Sequence, residues 1–344
     1  MGTVTTSDTS FGVVADRNAQ SKLRRIIVRP EIGALCALLL VYGVFAVVAG
    51  KASFVSFNGT AAWLNVAAEL GIIGLAVGLL MIAGELDLSI GAVVGSSSII
   101  LSIGTGIYDL NVWLMLALTI ATALLIGLIN GLLVVRTSIP SFIVTLATNF
   151  AVAGSALGLA RLLTNTVSSS MVSDPAVDAL FAARWGQANV SIIWWVVATI
   201  LSVWLLNRTR FGNWIFATGG NLSAARGAGV PTSLVKVVLF MGTSLAASLV
   251  GIMQTVEFHS GNATNGQGYV FQAPIVAVIG GVLLTGGYGS VLGFAFGAML
   301  YGVISVGIFY SGWNTDWVQL FLGALVLLAV TANTYVRKLA LSVR

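Results

Sequence analysis

An all-α, polytopic membrane protein with about ten transmembrane helices, some short or broken, is the architecture predicted for this 344-residue chain. Two observations carry it. The chain is 58% hydrophobic and 8% charged, with mean hydropathy +1.00, a balance foreign to soluble globular domains. Its apolar residues also fall into runs near the ~20 residues a helix needs to cross a bilayer, spread almost end to end, with no water-soluble segment of domain size between them.

The elements follow in order. Residues 1–30 form a basic arm carrying Arg17, Lys22, Arg24, Arg25 and Arg29. It is too long for the n-region of a signal peptide, and no small-residue cleavage site clearly follows Gly50, so the first apolar run reads as an uncleaved span. Candidate spans cover 32–50, 62–83, 88–105, 112–135, 141–163, 190–207, 234–256, 273–285, 290–311 and 316–335. The eighth is short. Gly280-Gly281 inside it and Gly286-Gly287 after it mark a broken or re-entrant segment. A membrane domain over 31–336 is thus expected, with an inner loop at 208–233 and a basic tail at 337–344. Threading ten spans from an inside N-terminus puts Arg136, Arg208, Arg210, Arg226, Lys236, Arg337, Lys338 and Arg344 on the side of the basic arm. Only Lys51, Arg161 and Arg184 fall opposite, so both termini are expected in the cytoplasm by the positive-inside rule. Cys36, the single cysteine, supports no disulfide or zinc spacing and reads as a small buried hydrophobe.

Polar residues in these runs are the candidates for function. Gly84-Glu85-Leu86-Asp87-Leu88-Ser89-Ile90-Gly91 sets two carboxylates at membrane depth. Such groups cost a few kcal/mol there and face a bundle interior, an aqueous cavity or a bend. Asp87 suits a bend or cap at Leu88. Asn65 and Glu69 lie four apart on one helix face, which either lines a hydrated path or makes a structural hydrogen bond. Asn65, Glu69, Glu85, Asp87 and Ser89 are the translocation-path candidates. In the inner loop Asn221 can cap a helix from Leu222 to about Ala228, Gly229 can end it, and Pro231 prevents its continuation. Such a helix is either a docking element for a soluble partner or an ordinary connector. Asp87-Leu88-Ser89-Ile90-Gly91 and Gly289-Ser290-Val291-Leu292-Gly293 share a weak repeat pattern.

Other chemistries lack their parts. Gly50-Lys51 is followed by Ala52, so no phosphate-binding Gly-x-x-x-x-Gly-Lys-Ser/Thr loop is present. His259, the one histidine, falls in an amide-rich outer loop and more simply bonds within it than serves as a base. Neither a catalytic residue nor a metal site is expected. Thr285-Gly286-Gly287-Tyr288-Gly289 has the glycine spacing of a potassium filter, but it threads to the cytoplasmic side with no separate pore helix before it.

Gly84 to Gly91, Gly127-Leu128-Ile129-Asn130-Gly131 leading to Pro140-Ser141-Phe142-Ile143-Val144-Thr145-Leu146, the loop Gly219 to Gly229, and Gly280-Gly281 through Gly289-Ser290 occur in that order. Together they resemble the membrane permease subunits of ribose-type bacterial ABC importers. The resemblance implies a ten-helix, multi-pass protein of the bacterial cytoplasmic (inner) membrane that pairs with a second permease copy, identical or not. It implies cytoplasmic ATPase subunits that hold the ATP, and a periplasmic or extracellular binding protein. The solute would be small and polar, a monosaccharide first, carried in by alternating access. No cofactor on this chain and no nucleic-acid partner are implied. Gly220, Asn221, Ala224, Ala225, Arg226 and Gly229 match the family's coupling helix. Lys51, Arg161 and Arg184 are the cations available to acidic side chains of a binding protein. Glu85 departs from the family pattern, which has Gly there, and Gly227-Ala228 replaces a larger pair. A branched-chain amino-acid permease and an ion-coupled secondary transporter driven through Glu69 or Asp87 stay open as alternatives.

Overall fold

The computed structural model describes residues 30–50 and 53–341. The basic arm, Lys51 and the side chains of the basic tail lie outside the described residues. In chain order the helices are α1 (Pro30–Val48), α2 (Phe57–Ile82), α3 (Ile90–Gly106), α4 (Val112–Thr137), α5 (Ser141–Thr164), α6 (Pro175–Phe181), α7 (Ser191–Arg208), α8 (Arg210–Gly220), α9 (Leu222–Gly227), α10 (Thr232–Phe258), α11 (Tyr269–Ile279), α12 (Val291–Tyr310) and α13 (Trp317–Leu341). Seven are long and apolar enough to cross a membrane, and α3, α11 and the start of α13 add shorter apolar helices. Each of the ten expected spans thus overlaps an apolar helix, seven of them long enough to cross. The face carrying α8 and α9 is called inner below, and its opposite outer.

α2 is the axis of the bundle. It packs against α7, α10, α11 and α12, and 78% of its apolar window is buried, against 17% for the peripheral α1 and α7. Its glycines make this possible: a Cβ on Gly78 would stand 2.4 Å from the ring of Phe294, and one on Gly71 would stand 2.2 Å from Nε1 of Trp195. Close approach at small residues is the usual basis of helix packing in lipid. Cys36 is exposed on the outside of α1, not buried as its residue type suggests, because α1 contributes only one stripe to the core.

Two segments are discontinuous. At 1.5 Å per residue α3 is about 25 Å long and α11 about 16 Å, so non-helical chain leads into each. Gly84–Ser89 leads into α3, and the turn from Ala263 to Gly268 leads into α11. The turn packs on α3, where a Cβ on Gly95 would lie 2.4 Å from the Ala263 carbonyl oxygen and one on Gly91 2.7 Å from that of Gly266. Irregular backbone at membrane depth is tolerated only where protein or a cavity surrounds it. The short eighth span is therefore a broken helix, and its break lies before Tyr269 as well as after Ile279.

The loops at 164–189 and 258–272, separate in sequence, form one outer cap. Strand β1 (Ser168–Ser170), the hairpin of β2 (Arg184–Trp185) with β3 (Ala188–Asn189), and β4 (Ser260–Asn262) follow in order. β1 and β4 pair antiparallel, with Ser168 opposite Asn262. Asp174 caps α6 by accepting from the amides of Ala176 and Val177, and His259 Nε2 lies 3.6 Å from an Asp178 carboxylate oxygen.

Candidate functional site

The break between α2 and α3 is held by one face of α5. Ser141, Thr145 and Asn149 recur every four residues and so share that face. Their oxygens accept, in order, the amides of Leu86 at 3.1 Å, Leu88 at 3.0 Å and Ala92 at 3.2 Å. Backbone donors that an extended strand would leave orphaned are thereby satisfied without water. Asp87 is fully buried. Its Oδ1 accepts the Ser89 amide at 2.9 Å and the Ser89 hydroxyl at 2.6 Å, and its Oδ2 accepts the Thr243 hydroxyl at 2.6 Å. Asn130 donates to Ser89 Oγ at 2.9 Å and accepts from Thr148 at 2.7 Å. A carboxylate beside the first turn of α3 also complements the positive end of that helix.

Asp87 and Ser89, two of the path candidates, are fully buried and hydrogen-bonded to protein groups in this conformation. Glu85, two residues earlier, lines an inner cleft of about 440 Å³ with Gly84, Leu86, Ser141 and Leu284. It forms an ion pair with Lys236 of α10. The cation that offsets it thus comes from a helix distant in sequence, not from a flanking span.

Beside that cleft three chain segments touch backbone to backbone. The amide of Gly287 donates to the Ile82 carbonyl at the end of α2, at 2.8 Å. A Cβ on Gly219, in the last turn of α8, would lie 1.8 Å from the same carbonyl oxygen and 2.7 Å from the Gly287 nitrogen. Gly286 and Gly287 hold φ of +78° and +75°, a region that L side chains rarely enter. The break after α2, the break after α11 and the inner loop therefore share one glycine junction.

α9 follows that junction directly. Asn221 caps it, accepting the Ala224 amide at 3.0 Å, and the helix ends at Gly227, with Gly229 at φ +81°. Gly220, Asn221, Ala224, Arg226 and Gly229 are exposed, whereas Ala225 faces inward and is buried. The Arg226 Nε donates to Thr232 at 3.1 Å, which ties the guanidinium back to the start of α10.

On the outer side Asn65 and Glu69, one turn apart on α2, have separate tasks. Asn65 donates to the Gln187 carbonyl at 2.8 Å and accepts the Asn189 amide at 3.0 Å, pinning the β2–β3 hairpin. It braces the outer cap through these two bonds. Glu69 lies in a cavity of about 340 Å³ with Gln254, Asn265, Tyr269, Gln272 and Tyr301. Gln254 and Tyr269 donate to Glu69 Oε2 at 2.7 and 3.0 Å. The two cavities, outer and inner, share no lining residue.

Of the three outer cations, Lys51 lies outside the described residues, Arg161 is exposed near the end of α5, and Arg184 bonds Glu257 at 2.6 Å. Glu257 also accepts from Asn189 at 2.9 Å. Gln254, Thr243, Lys236 and the Ser141, Thr145, Asn149 series were not singled out from sequence. The series was findable, because three hydrogen-bonding side chains at spacing four in an apolar helix need partners. The other three act only through tertiary contacts.

A family model described as branched-chain amino acid transport system / permease component matches residues 59–330. The chain is 31% identical to the fructose import permease protein FrcC of Rhizobium meliloti, over 94% of this chain and 91% of that protein. It is 30% identical to the galactose/methyl galactoside import permease protein MglC of Escherichia coli K12, over 78% of this chain and 84% of the relative. Identity to the ribose import permease protein RbsC of the same organism is 25%, over 88% and 93%.

Proposed function

Because this chain belongs to the family of branched-chain amino acid transport system / permease components, we propose that it is the permease subunit of an ATP-driven importer that carries a monosaccharide into the cytoplasm. It is a multi-pass protein of the bacterial inner membrane. The observation that carries the sugar reading is the near end-to-end similarity to permeases named for fructose, galactose and ribose, over 78–94% of this chain. Two cavities with no lining residue in common, one at Glu85 beside the inner loop and one at Glu69 beside the outer cap, suit alternating access, in which one side opens as the other closes.

The motor is assigned to separate ATPase subunits, since the chain has no phosphate-binding loop of its own. α9 is read as the element that docks on them. Its exposed Asn221, Ala224 and Arg226 are the contact residues, and the inward Ala225 holds the helix in place. A second permease copy and an external binding protein complete the assembly, with both termini on the ATPase side. No cofactor is assigned to this chain.

Proteoliposomes holding the chain with its ATPase and binding protein test the reading through uptake of labelled D-fructose, D-galactose and D-ribose. Uptake of one of them should require ATP and survive a protonophore. Ala224→Trp, on the exposed face of α9, should abolish uptake without lowering membrane insertion. Uptake driven by a proton gradient without ATP would make the chain a secondary transporter, and preference for L-leucine would make it an amino-acid permease.

A further inference from the structure

The outer cavity combines a size, a polar lining and an unused hydrogen-bonding group that together specify a ligand class. Its volume, about 340 Å³, lies at the lower end of the roughly 300–1,000 Å³ of small-ligand pockets. The polar groups lining it are one carboxylate, Glu69, three amides, Gln254, Asn265 and Gln272, and two phenols, Tyr269 and Tyr301. None of the lining residues is Lys, Arg or His.

Glu69 is the centre of this set. Gln254 and Tyr269 both donate to Oε2, and Gln254 also bonds the Tyr269 hydroxyl at 3.0 Å, so the three side chains lock one another. Oε1 accepts no hydrogen bond among the described residues. A carboxyl oxygen left without a partner can take a hydrogen bond from a solute hydroxyl. Asn265 and Gln272 make no side-chain hydrogen bond among the described residues, and each amide offers both donors and an acceptor. A sugar hydroxyl can donate to Glu69 and accept from an amide at once.

We infer that this cavity is a solute-selecting site of the permease itself, which takes neutral polyhydroxy compounds on Glu69 Oε1 and the Asn265 and Gln272 amides in preference to solutes with an apolar side chain. The inference rests on the importer reading above and deepens it, since it places selection in this chain. The preference follows from hydrogen bonding: a polyol presents a donor and an acceptor at each hydroxyl, whereas the alkyl side chain of leucine would leave the amides and Glu69 Oε1 without the partners that water gives them.

The test uses the full-length chain in lipid nanodiscs, with Cys36→Ala to remove the exposed native thiol and Val66→Cys, at a lining position not assigned to the ligand, to report on the cavity. Modification of that cysteine by a water-soluble methanethiosulfonate is followed with D-fructose, D-galactose, D-ribose or L-leucine present. A bound sugar should slow modification about twofold at a concentration equal to its Kd, and leucine should leave the rate unchanged. Glu69→Gln should weaken the protection. Gln272→Ala should do likewise, and it removes no hydrogen bond within the protein, so it guards against loss of fold. If no sugar protects, or leucine protects as well as the sugars, the site reading falls. Protection without ATP-driven uptake upholds the site and overturns the importer, whereas uptake without protection does the reverse.

Discussion

Lys236 reaches Glu85 across 151 positions of sequence, and the two side chains are only 13% and 12% exposed. A pair so placed gains little over a hydrophobic replacement of both, but loss of one partner strands a charge. Lys236→Met should therefore lower stability by roughly 3 kcal/mol, the lower end for broken buried pairs. The combined reversal Lys236→Glu with Glu85→Lys should recover most of that loss. Thermal unfolding of the full-length protein in detergent checks both, and a single variant as stable as the parent would show that Glu85 is hydrated in the inner cleft instead. Asp87 differs. Its partners are hydroxyls and an amide, so its stabilisation is hydrogen bonding and helix-end electrostatics without a counter-ion.

Two adjacent glycines in α8 separate a junction effect from a propensity effect at the scale of the element. A methyl on Gly219 meets the Ile82 carbonyl oxygen at 1.8 Å, whereas a methyl on Gly220 meets nothing within 4 Å. Gly219→Ala should push α8 off the end of α2, at the ~1–3 kcal/mol typical of overpacking, and should reduce ATP-driven uptake more than it reduces stability, because the contact lies between α9 and the two breaks. Gly220→Ala should be close to neutral in both. Parallel thermal-stability and uptake measurements decide the matter, and equal effects of the two substitutions would remove any special role from the junction. The α5 series acts at the same scale. Ser141, Thr145 and Asn149 accept two amides of the break and one of the first turn of α3, which helps non-helical chain persist in a bundle interior.

For the whole molecule the outer rim is the surface we propose for a binding protein. Arg184 is 52% exposed although it bonds Glu257, so its positive potential is partly spent within the cap. Arg161 is exposed. Rim charges act chiefly on association rate. Arg184→Glu should slow capture of the loaded binding protein about threefold to tenfold at low salt, with the deficit shrinking as ionic strength rises. Arg161→Glu supplies a comparison at a second outer position. Stopped-flow association at several salt concentrations reads both, and unchanged kinetics for the two would move the docking surface to the 258–272 turn.

The sequence by itself determined the membrane class, the ten apolar helices and the capped helix of the inner loop. Each rests on local quantities: run length against bilayer thickness, and the side-chain chemistry of Asn221, Gly229 and Pro231. The break at Gly84–Gly91 was legible for the same reason, since two carboxylates and two glycines cannot sit as an ordinary span. Tertiary structure alone decided what those residues do. Asp87 was sealed by Thr243 of α10, Glu85 was paired by Lys236, Asn65 was drawn to a hairpin, and Glu69 was joined to Gln254 and Tyr269 in a cavity. A polar side chain at membrane depth must find a partner, and its own segment states that need. Which helix meets it depends on how the bundle closes, through contacts between residues more than a hundred positions apart.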